Sequence, residues 1–265
     1  MQRKVIVITG ASAGIGAAVA RRLGKDGHAL VLAARREHEL KAVASSAARD
    51  AVAVPTDVTR RADVERLRDR AIDAFGRVDV WINNAGRGIT RPVLELTDED
   101  FDGMMQVNVK SALYGMQAIV PHFMERGDGH LINVSSFLGR VPIATHRSAY
   151  NAAKAALNAL TANLRVDVKK THPNVEISLV MPGMVKTEFA EHALWSRGGG
   201  SIPWTSSSAP PTPASAVQTA EQVADVMAEL IASPAAEVYT NPASRDMAIR
   251  YVQDVAAFEA GMAGA

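Results

Sequence analysis

The 265-residue chain contains no cysteine. That absence excludes disulfides, thiolate metal ligands and a cysteine nucleophile, and it fits a reducing compartment. An excess of charge of one sign is also missing. The 29 Lys and Arg face 28 Asp and Glu, for a formal net charge of +1. No global electrostatic attraction to nucleic acid or to an anionic membrane follows from such a balance. Nor is there a long apolar run at the start, where Met1-Gln2-Arg3-Lys4 leads into a short stretch ending at Gly10. This stretch is too brief for a signal segment or a membrane span, so a cytoplasmic protein is expected. The seven histidines show no H-E-x-x-H or other ligand spacing, and no catalytic metal is expected.

What is present is ordinary core-forming matter, 48% apolar against 22% charged, enough for a large core. It is laid out as strand, then helix, repeated. Val5–Thr9, Ala29–Ala34, Ala51–Pro55, Val78–Asn83, Leu131–Val134 and Val175–Val180 read as strands, with Val238–Thr240 as a seventh. Continuous β-branched runs of this kind suit strands buried on both faces. Helical patterns fill Gly14–Lys25, Glu37–Ala48, Arg61–Phe75, Asp98–Glu125, Ala149–Lys170 and Gln222–Ile231. Thr97 is placed to cap the fourth of these, with Glu99 and Asp100 in its first turn. The alternation predicts one α/β domain over residues 1–265: a doubly wound (Rossmann) seven-stranded parallel sheet with helices on both faces. Its ligands are expected at the carboxyl ends of the strands. Two segments break the rhythm. Ser196–Val217, rich in Gly, Ser and Pro, is either a disordered insertion or a mobile lid, and a lid over about 188–220 is preferred. The tail at about 244–265 can be helical and dock on a neighbouring subunit.

Three local patterns carry chemistry. Thr9-Gly10-Ala11-Ser12-Ala13-Gly14-Ile15-Gly16 follows the first strand and opens the first helix. Glycines there let the backbone approach a pyrophosphate, and the helix N-terminus supplies free N–H groups and partial positive charge. The spacing is G-x-x-x-G-x-G. At the end of the second strand a carboxylate would bind the ribose hydroxyls of NAD, but the chain has Ala33-Ala34-Arg35-Arg36. Guanidinium groups there can clamp a 2′-phosphate, which favours NADP(H) over NAD(H); the plain alternative is two solvated residues starting a helix. Finally, Tyr150 and Lys154 stand four apart on one helix face. A nearby ammonium lowers a phenol from its reference pKa of roughly 10, giving a group that exchanges protons near neutrality.

Thr9–Gly16, Asn83-Asn84-Ala85-Gly86, Tyr150-x-x-x-Lys154 and Pro182-Gly183-x-Val185-x-Thr187 together resemble the classical short-chain dehydrogenase/reductase family in order and spacing. The resemblance covers the chain to about residue 190. It implies that Tyr150 is the general acid or base, that Lys154 tunes it and holds the nicotinamide ribose, and that Asn108 holds a water joining Lys154 to solvent. By the same resemblance Gly10, Ser12, Ala13, Gly14, Ile15 and Gly16 cradle the pyrophosphate, and Asp57 and Val58 flank the adenine. Asn84, Ala85 and Gly86 line the cofactor, and Pro182, Gly183, Val185 and Thr187 lie at the nicotinamide carboxamide. Ala34 falls where NAD-preferring members have an acid, and Arg35 where NADP-preferring ones have an arginine.

One position departs from the family pattern. The serine commonly stands thirteen residues before the tyrosine, where this chain has Phe137. Ser135 and Ser136 are the candidates, and by the same resemblance the family's usual glycine, three residues after the serine, falls at Gly139 and selects Ser136. Strand alternation then turns Ser135 away. The family also pairs the Tyr150 helix and its predecessor between subunits, implying a homodimer or homotetramer.

Together these residues suit reduction of a carbonyl or oxidation of a secondary alcohol in a small-molecule substrate. Tyr150 handles the proton and Ser136 holds the substrate oxygen, while the nicotinamide carries the hydride. The rivals are an epimerase or dehydratase on the same scaffold and a non-catalytic NADP-binding sensor. His146 lines the pocket or is plain loop. Phe189, Trp195 and Trp204 either close on a substrate or pin their loop. Asp79 and Trp81 are expected to be structural.

Overall fold

The computed structural model describes residues 2–189, 194–195 and 217–263. Strands β1 (Val5–Thr9), β2 (Ala29–Ala34) and β3 (Ala51–Pro55) alternate with helices α1 (Gly14–Lys25), α2 (Glu37–Ala47) and α3 (Arg61–Phe75). After β4 (Val80–Asn83) come a two-residue strand β5 (Ile89–Thr90), α4 (Asp98–Met105) and α5 (Ser111–Arg126). Then follow β6 (Gly129–Val134), α6 (Ser148–Lys169), β7 (Val175–Met181), β8 (Met184–Lys186) and the backbone strand β9 (Leu194–Trp195). The described chain closes with β10 (Val217–Thr219), α7 (Ala220–Ala232), β11 (Glu237–Tyr239), α8 (Pro242–Gln253) and α9 (Val255–Ala263).

Seven strands form one sheet in the order β11-β7-β6-β4-β1-β2-β3, and each of its neighbouring pairs is parallel. The order reverses between β1 and β4. Ligand crevices open at such a reversal, outside the carboxyl ends of the strands. Two apolar layers hold the sheet. Ile6, Ile8, Leu30, Leu32 and Ile82 pack with α1, α2 and α7 on one face. Val7, Val31, Trp81, Leu131 and Ile177 pack with α3, α5 and α6 on the other. Alternate residues of each strand point to opposite faces, so both faces of β1, β2 and β4 are apolar. Trp81 is fully buried and its Nε1 donates to Asn83 Oδ1 at 2.8 Å. Asp79 is equally structural. It accepts from the Val5 amide at 2.8 Å and pairs with Arg77 and Arg126 at 3.1 and 3.0 Å.

The long helix expected over Asp98–Glu125 is interrupted. Thr97 caps α4 in a reciprocal box with Asp100, but residues Gln106–Lys110 form a π-helical turn before α5 begins. Such a turn bulges a helix at functional positions, and Asn108 sits at its centre.

The segment expected to be a lid lies mostly outside the described residues. At its described end, β10 runs parallel to β8, with Gln218 opposite Val185. The tail is helical, as α8 and α9, and it docks on its own chain. Met247, Tyr251 and Phe258 pack with Tyr239 against Phe137, Val141 and Ile143, and the rings of Tyr251 and Phe258 meet edge-on at 5.4 Å.

Candidate active site

The crevice between β1 and β4 is closed by one hydroxyl. Thr9 Oγ1 accepts from the amides of Asn84 and Ala85, at 3.0 and 3.1 Å. Asn84 Nδ2 donates back to the Thr9 carbonyl at 2.9 Å, so its side chain braces the glycine turn. Gly10 has φ +65°, and a Cβ there would lie 2.8 Å from Ala85 Cα. At Gly16 a Cβ would lie 2.4 Å from the Gly10 carbonyl oxygen. Side chains are therefore barred at Gly10 and Gly16, which lets the turn pack directly on Asn84 and Ala85.

Ala13 precedes α1 with no side-chain cap, and the first turn of α1 carries no acid. Its free N–H groups and positive dipole end suit an anion, so the turn fits a pyrophosphate. Ile15 packs into the apolar layer below. Thr187 stands over the turn, its Cβ 3.5 Å from where a Gly14 Cβ would be, and its Oγ1 accepts from the Phe189 amide at 3.3 Å.

Where the adenosine is expected, Arg36 Nη2 donates to Ser12 Oγ at 3.3 Å, and Arg36 Nη1 lies 3.9 and 4.0 Å from Glu39 and Glu188. Arg35 is exposed beside it. Asp57 accepts from Thr59 N and Thr59 Oγ1 at 3.0 and 2.7 Å, next to buried Val58. The Pro182 carbonyl accepts from the Phe137 amide at 2.8 Å, joining the turn after β7 to the turn after β6. Gly183 lies under Ser244, and Val185 packs against the first apolar layer.

The residues expected to handle protons lie around the first turns of α6. Ser135 turns to Asn158 Oδ1 at 2.5 Å, away from Tyr150. Ser136 stands close enough to the Tyr150 side chain to pull its pKa down, and its Oγ accepts from the Leu138 amide at 3.1 Å. Gly139 brings this turn onto α6, since a Cβ there would lie 2.7 Å from the Lys154 carbonyl carbon. Lys154 Nζ donates to the Val134 carbonyl at 2.9 Å and lies 5.7 Å from the Tyr150 ring centre. Burial pushes the Lys154 pKa down from 10.5 to about 8. Asn108 is buried. Its Oδ1 accepts from the Arg87 amide at 3.2 Å and its Nδ2 donates to the Arg87 carbonyl at 3.0 Å. A Cβ on Gly86 would lie 2.8 Å from Asn108 Oδ1 and 3.6 Å from Lys154 Nζ, so these three residues share one corner.

The electrostatics of Tyr150 differ from the expectation drawn from helix spacing. Burial raises its pKa, and the groups pulling it back down are the Ser136 hydrogen bond and the charge of Arg147. Desolvation of a phenolate outweighs both. Arg147, which sequence reasoning passed over, is buried within one turn of Tyr150. Phe189 meets the Tyr150 ring edge-on at 5.7 Å. His146 lies at the same helix start, its carbonyl accepting from the Arg91 amide at 2.6 Å. Thr9, which ties the two strand ends, was likewise read only as part of the glycine motif.

These features have close counterparts elsewhere. A family model described as short chain dehydrogenase matches residues 4–196. An uncharacterized oxidoreductase of Staphylococcus epidermidis is 35% identical over 191 residues, covering 72% of this chain and 82% of the relative. One from Staphylococcus aureus is 38% identical over 185 residues, covering 69% and 79%. Among solved structures, a short chain dehydrogenase/reductase from Burkholderia phymatum in complex with NAD superposes with a TM-score of 0.82 at 29% identity, covering 96% of this chain and 94% of its own. A short chain dehydrogenase from Burkholderia cenocepacia in complex with NADP gives 0.79 at 27% identity, covering 98% of both chains. The match spans the glycine turn, the Tyr150 helix and Thr187 alike, and the chain is an oxidoreductase of the short chain dehydrogenase family.

Proposed function

We propose that the protein is an NADP(H)-dependent oxidoreductase acting on a carbonyl or secondary alcohol, with Tyr150 as general acid and base. The observation that carries this reading is the placement of the Tyr150 hydroxyl. Tyr150 stands beside Ser136 past the carboxyl end of β6, with Lys154 Nζ 5.7 Å from its ring centre and Gly86 and Asn108 in the same corner.

The cofactor assignments follow the surfaces described. The turn from Gly10 to Gly16, with Ser12, Ala13, Gly14 and Ile15, holds the pyrophosphate. Arg35 and Arg36 hold the 2′-phosphate, because guanidinium groups bind phosphate through paired donors. Asp57 and Val58 flank the adenine, and Asn84, Ala85 and Gly86 line the ribose side. Pro182, Gly183, Val185 and Thr187 place the carboxamide. Bound NADPH supplies the hydride. Tyr150 gives its proton to the substrate oxygen as negative charge builds there, and Ser136 donates a hydrogen bond to the same oxygen. Lys154 positions the ribose. Asn108 holds the water through which Lys154 and Tyr150 are reprotonated from solvent.

A small-molecule substrate, a cytoplasmic setting and a homodimer or homotetramer complete the proposal. The assembly is supported by an apolar groove of about 760 Å³ between α5 and α6, lined by Leu113, Met116, Val120, Leu160, Leu164 and Val166. Val166 is 63% exposed there, and an apolar face of this kind suits burial against a second copy.

Titration of the purified protein with NADPH and NADH, followed by fluorescence, tests the cofactor assignment, and a ketone and aldehyde panel tests turnover. Tighter NADPH binding with consumption is expected. Tyr150→Phe should keep NADPH binding and lose turnover by about 10²–10⁴-fold; near-wild-type turnover in that variant would rule out Tyr150 as the acid.

A further inference from the structure

We propose that Arg87 is a phosphate-binding residue of the cofactor site: its guanidinium, set on the loop after β4 and unpaired among the described residues, holds a phosphate of the bound nicotinamide nucleotide. This rests on the reading of the chain as a nicotinamide-dependent oxidoreductase.

The loop after β4 is bolted to the glycine turn. A Cβ on Gly10 would lie 2.8 Å from Ala85 Cα, and Asn84 Nδ2 donates to the Gly10 carbonyl at 3.3 Å. Arg87 stands two residues beyond Ala85. Asn108 grips its backbone twice, Oδ1 accepting from the amide at 3.2 Å and Nδ2 donating to the carbonyl at 3.0 Å. The glycines on either side are pressed against their neighbours. A Cβ on Gly86 would lie 2.8 Å from Asn108 Oδ1, and one on Gly88 would lie 3.0 Å from Phe189 Cε1 and 3.2 Å from Arg147 Nη1. Close packing thus bars side chains at 86 and 88, and Arg87 carries the one side chain of this stretch.

That side chain lacks a partner. Arg87 is half-buried, and its Nε is shut away from solvent with no acceptor. Burial lowers the guanidinium pKa, the charge of Arg35 lowers it further, and Asp100 pulls it back. Asp100, however, is held by Arg91 at 2.9 Å. A guanidinium stays charged all the same, and a charge drawn out of water without a counter-ion is unfavourable. An orphaned donor of this kind has a reason when a ligand brings the missing acceptor. The surroundings suit a phosphate. The N-terminus of α1, across the Gly10–Ala85 contact, is uncapped and carries no acid in its first turn. Arg87 is rooted beside Gly86, Asn108 and Lys154, where the nicotinamide ribose is expected, and its charge is felt with that of Arg35, where the 2′-phosphate is expected. The diphosphate joins those two ends of the cofactor. A planar guanidinium meets phosphate oxygens through paired donors.

The test is fluorescence titration of the full chain with NADPH and with NADH, wild type against Arg87→Met, which keeps the apolar stem and removes the donors. The variant should bind at least about tenfold more weakly. A loss shared by both nucleotides places Arg87 on the diphosphate, and a loss confined to NADPH places it with Arg35 on the 2′-phosphate. Thermal melting without nucleotide is the control. Since the guanidinium gives up no partner, Arg87→Met should melt at the wild-type temperature or above it. Unchanged affinity for both nucleotides overturns the proposal. Weaker binding together with a lower melting temperature overturns it as well, and makes Arg87 a structural residue. If Arg87→Met does not fold, Arg87→Gln is judged by the same criteria. Wild-type protein that binds neither nucleotide would overturn the cofactor reading and this proposal together, whereas wild-type binding that survives in the variant overturns this proposal alone.

Discussion

Replacing Lys154 with methionine should stabilise the fold while disabling the site. Lys154 is 4% exposed, and burial moves its pKa from 10.5 to about 8. At about 1.4 kcal/mol per pH unit, holding this ammonium in the folded state at pH 7 costs about 3 kcal/mol relative to the unfolded chain. Methionine removes that penalty and fills similar space. It also orphans the Val134 carbonyl, which now accepts from Nζ at 2.9 Å, at a cost of roughly 1–2 kcal/mol. The net gain at pH 7 is therefore about 1–2 kcal/mol. The sharper signature is its pH dependence. Between pH 8 and 10.5 the unfolded chain binds the extra proton, so wild-type stability rises with pH relative to the variant. The penalty is fully present below pH 8 and gone above 10.5. Urea unfolding of both proteins at pH 7 to 10.5 measures the difference, which should shift by about 3 kcal/mol in favour of wild type. A flat difference would show that Lys154 is not an uncompensated buried cation, and the argument from its burial would collapse.

Other outcomes follow from the same structure. Arg35→Asp should weaken NADPH binding by at least about tenfold and leave NADH binding little changed; equal losses in the two fluorescence titrations would remove Arg35 from the phosphate site. Gly16→Ala places a Cβ 2.4 Å from the Gly10 carbonyl, so it should cost about 1–3 kcal/mol in urea unfolding and reduce binding of both nucleotides. His130 has its pKa pushed down to about 4 by burial. Its contribution is therefore intact above pH 6.5 and lost as pH falls towards 4, by about 3 kcal/mol. His130→Gln should flatten that part of the acid-stability curve, leaving the smaller losses from His28, His122 and His146, whose burial acts in the same direction. Leu160→Glu in the α5–α6 groove should convert an oligomer to monomer in sedimentation; an unchanged mass would place the subunit contact elsewhere.

The parts of the fold that sequence made legible are those ruled by local pattern. Val5–Thr9 is a β-branched run between Lys4 and Gly10, and Arg61–Phe75 is an amphipathic helix ended by Gly76 at φ +75°. Both have the expected limits. The capping of α4 by Thr97 was legible for the same reason. The π-turn at Gln106–Lys110 was not, because its apolar spacing matches an α-helix and the bulge is made by packing. The two-residue β5 and the pairing of β8 with β10 depend on partners distant in sequence. Within the site, Gly139 pointed to Ser136 through the resemblance, and the structure gives a physical reason for that glycine, a close approach to Lys154 of α6. Arg147 carried no such mark. Its burial is produced by Phe189 and Gly88, which no short motif connects to it. Spacing alone brings Lys154 near Tyr150, but the direction of its ammonium is decided by the Val134 carbonyl.

The tail helices rest on Phe137, the residue that follows Ser136. A segment more than a hundred residues along the chain therefore bears on the turn that carries Ser136. Exchanges at Met247, Tyr251 or Phe258 would change the packing under Phe137 without touching the glycine turn of residues 10–16. Among oxidoreductases of this family, drift in such helices is a way to vary the turn after β6 while the glycine turn after β1 stays as it is.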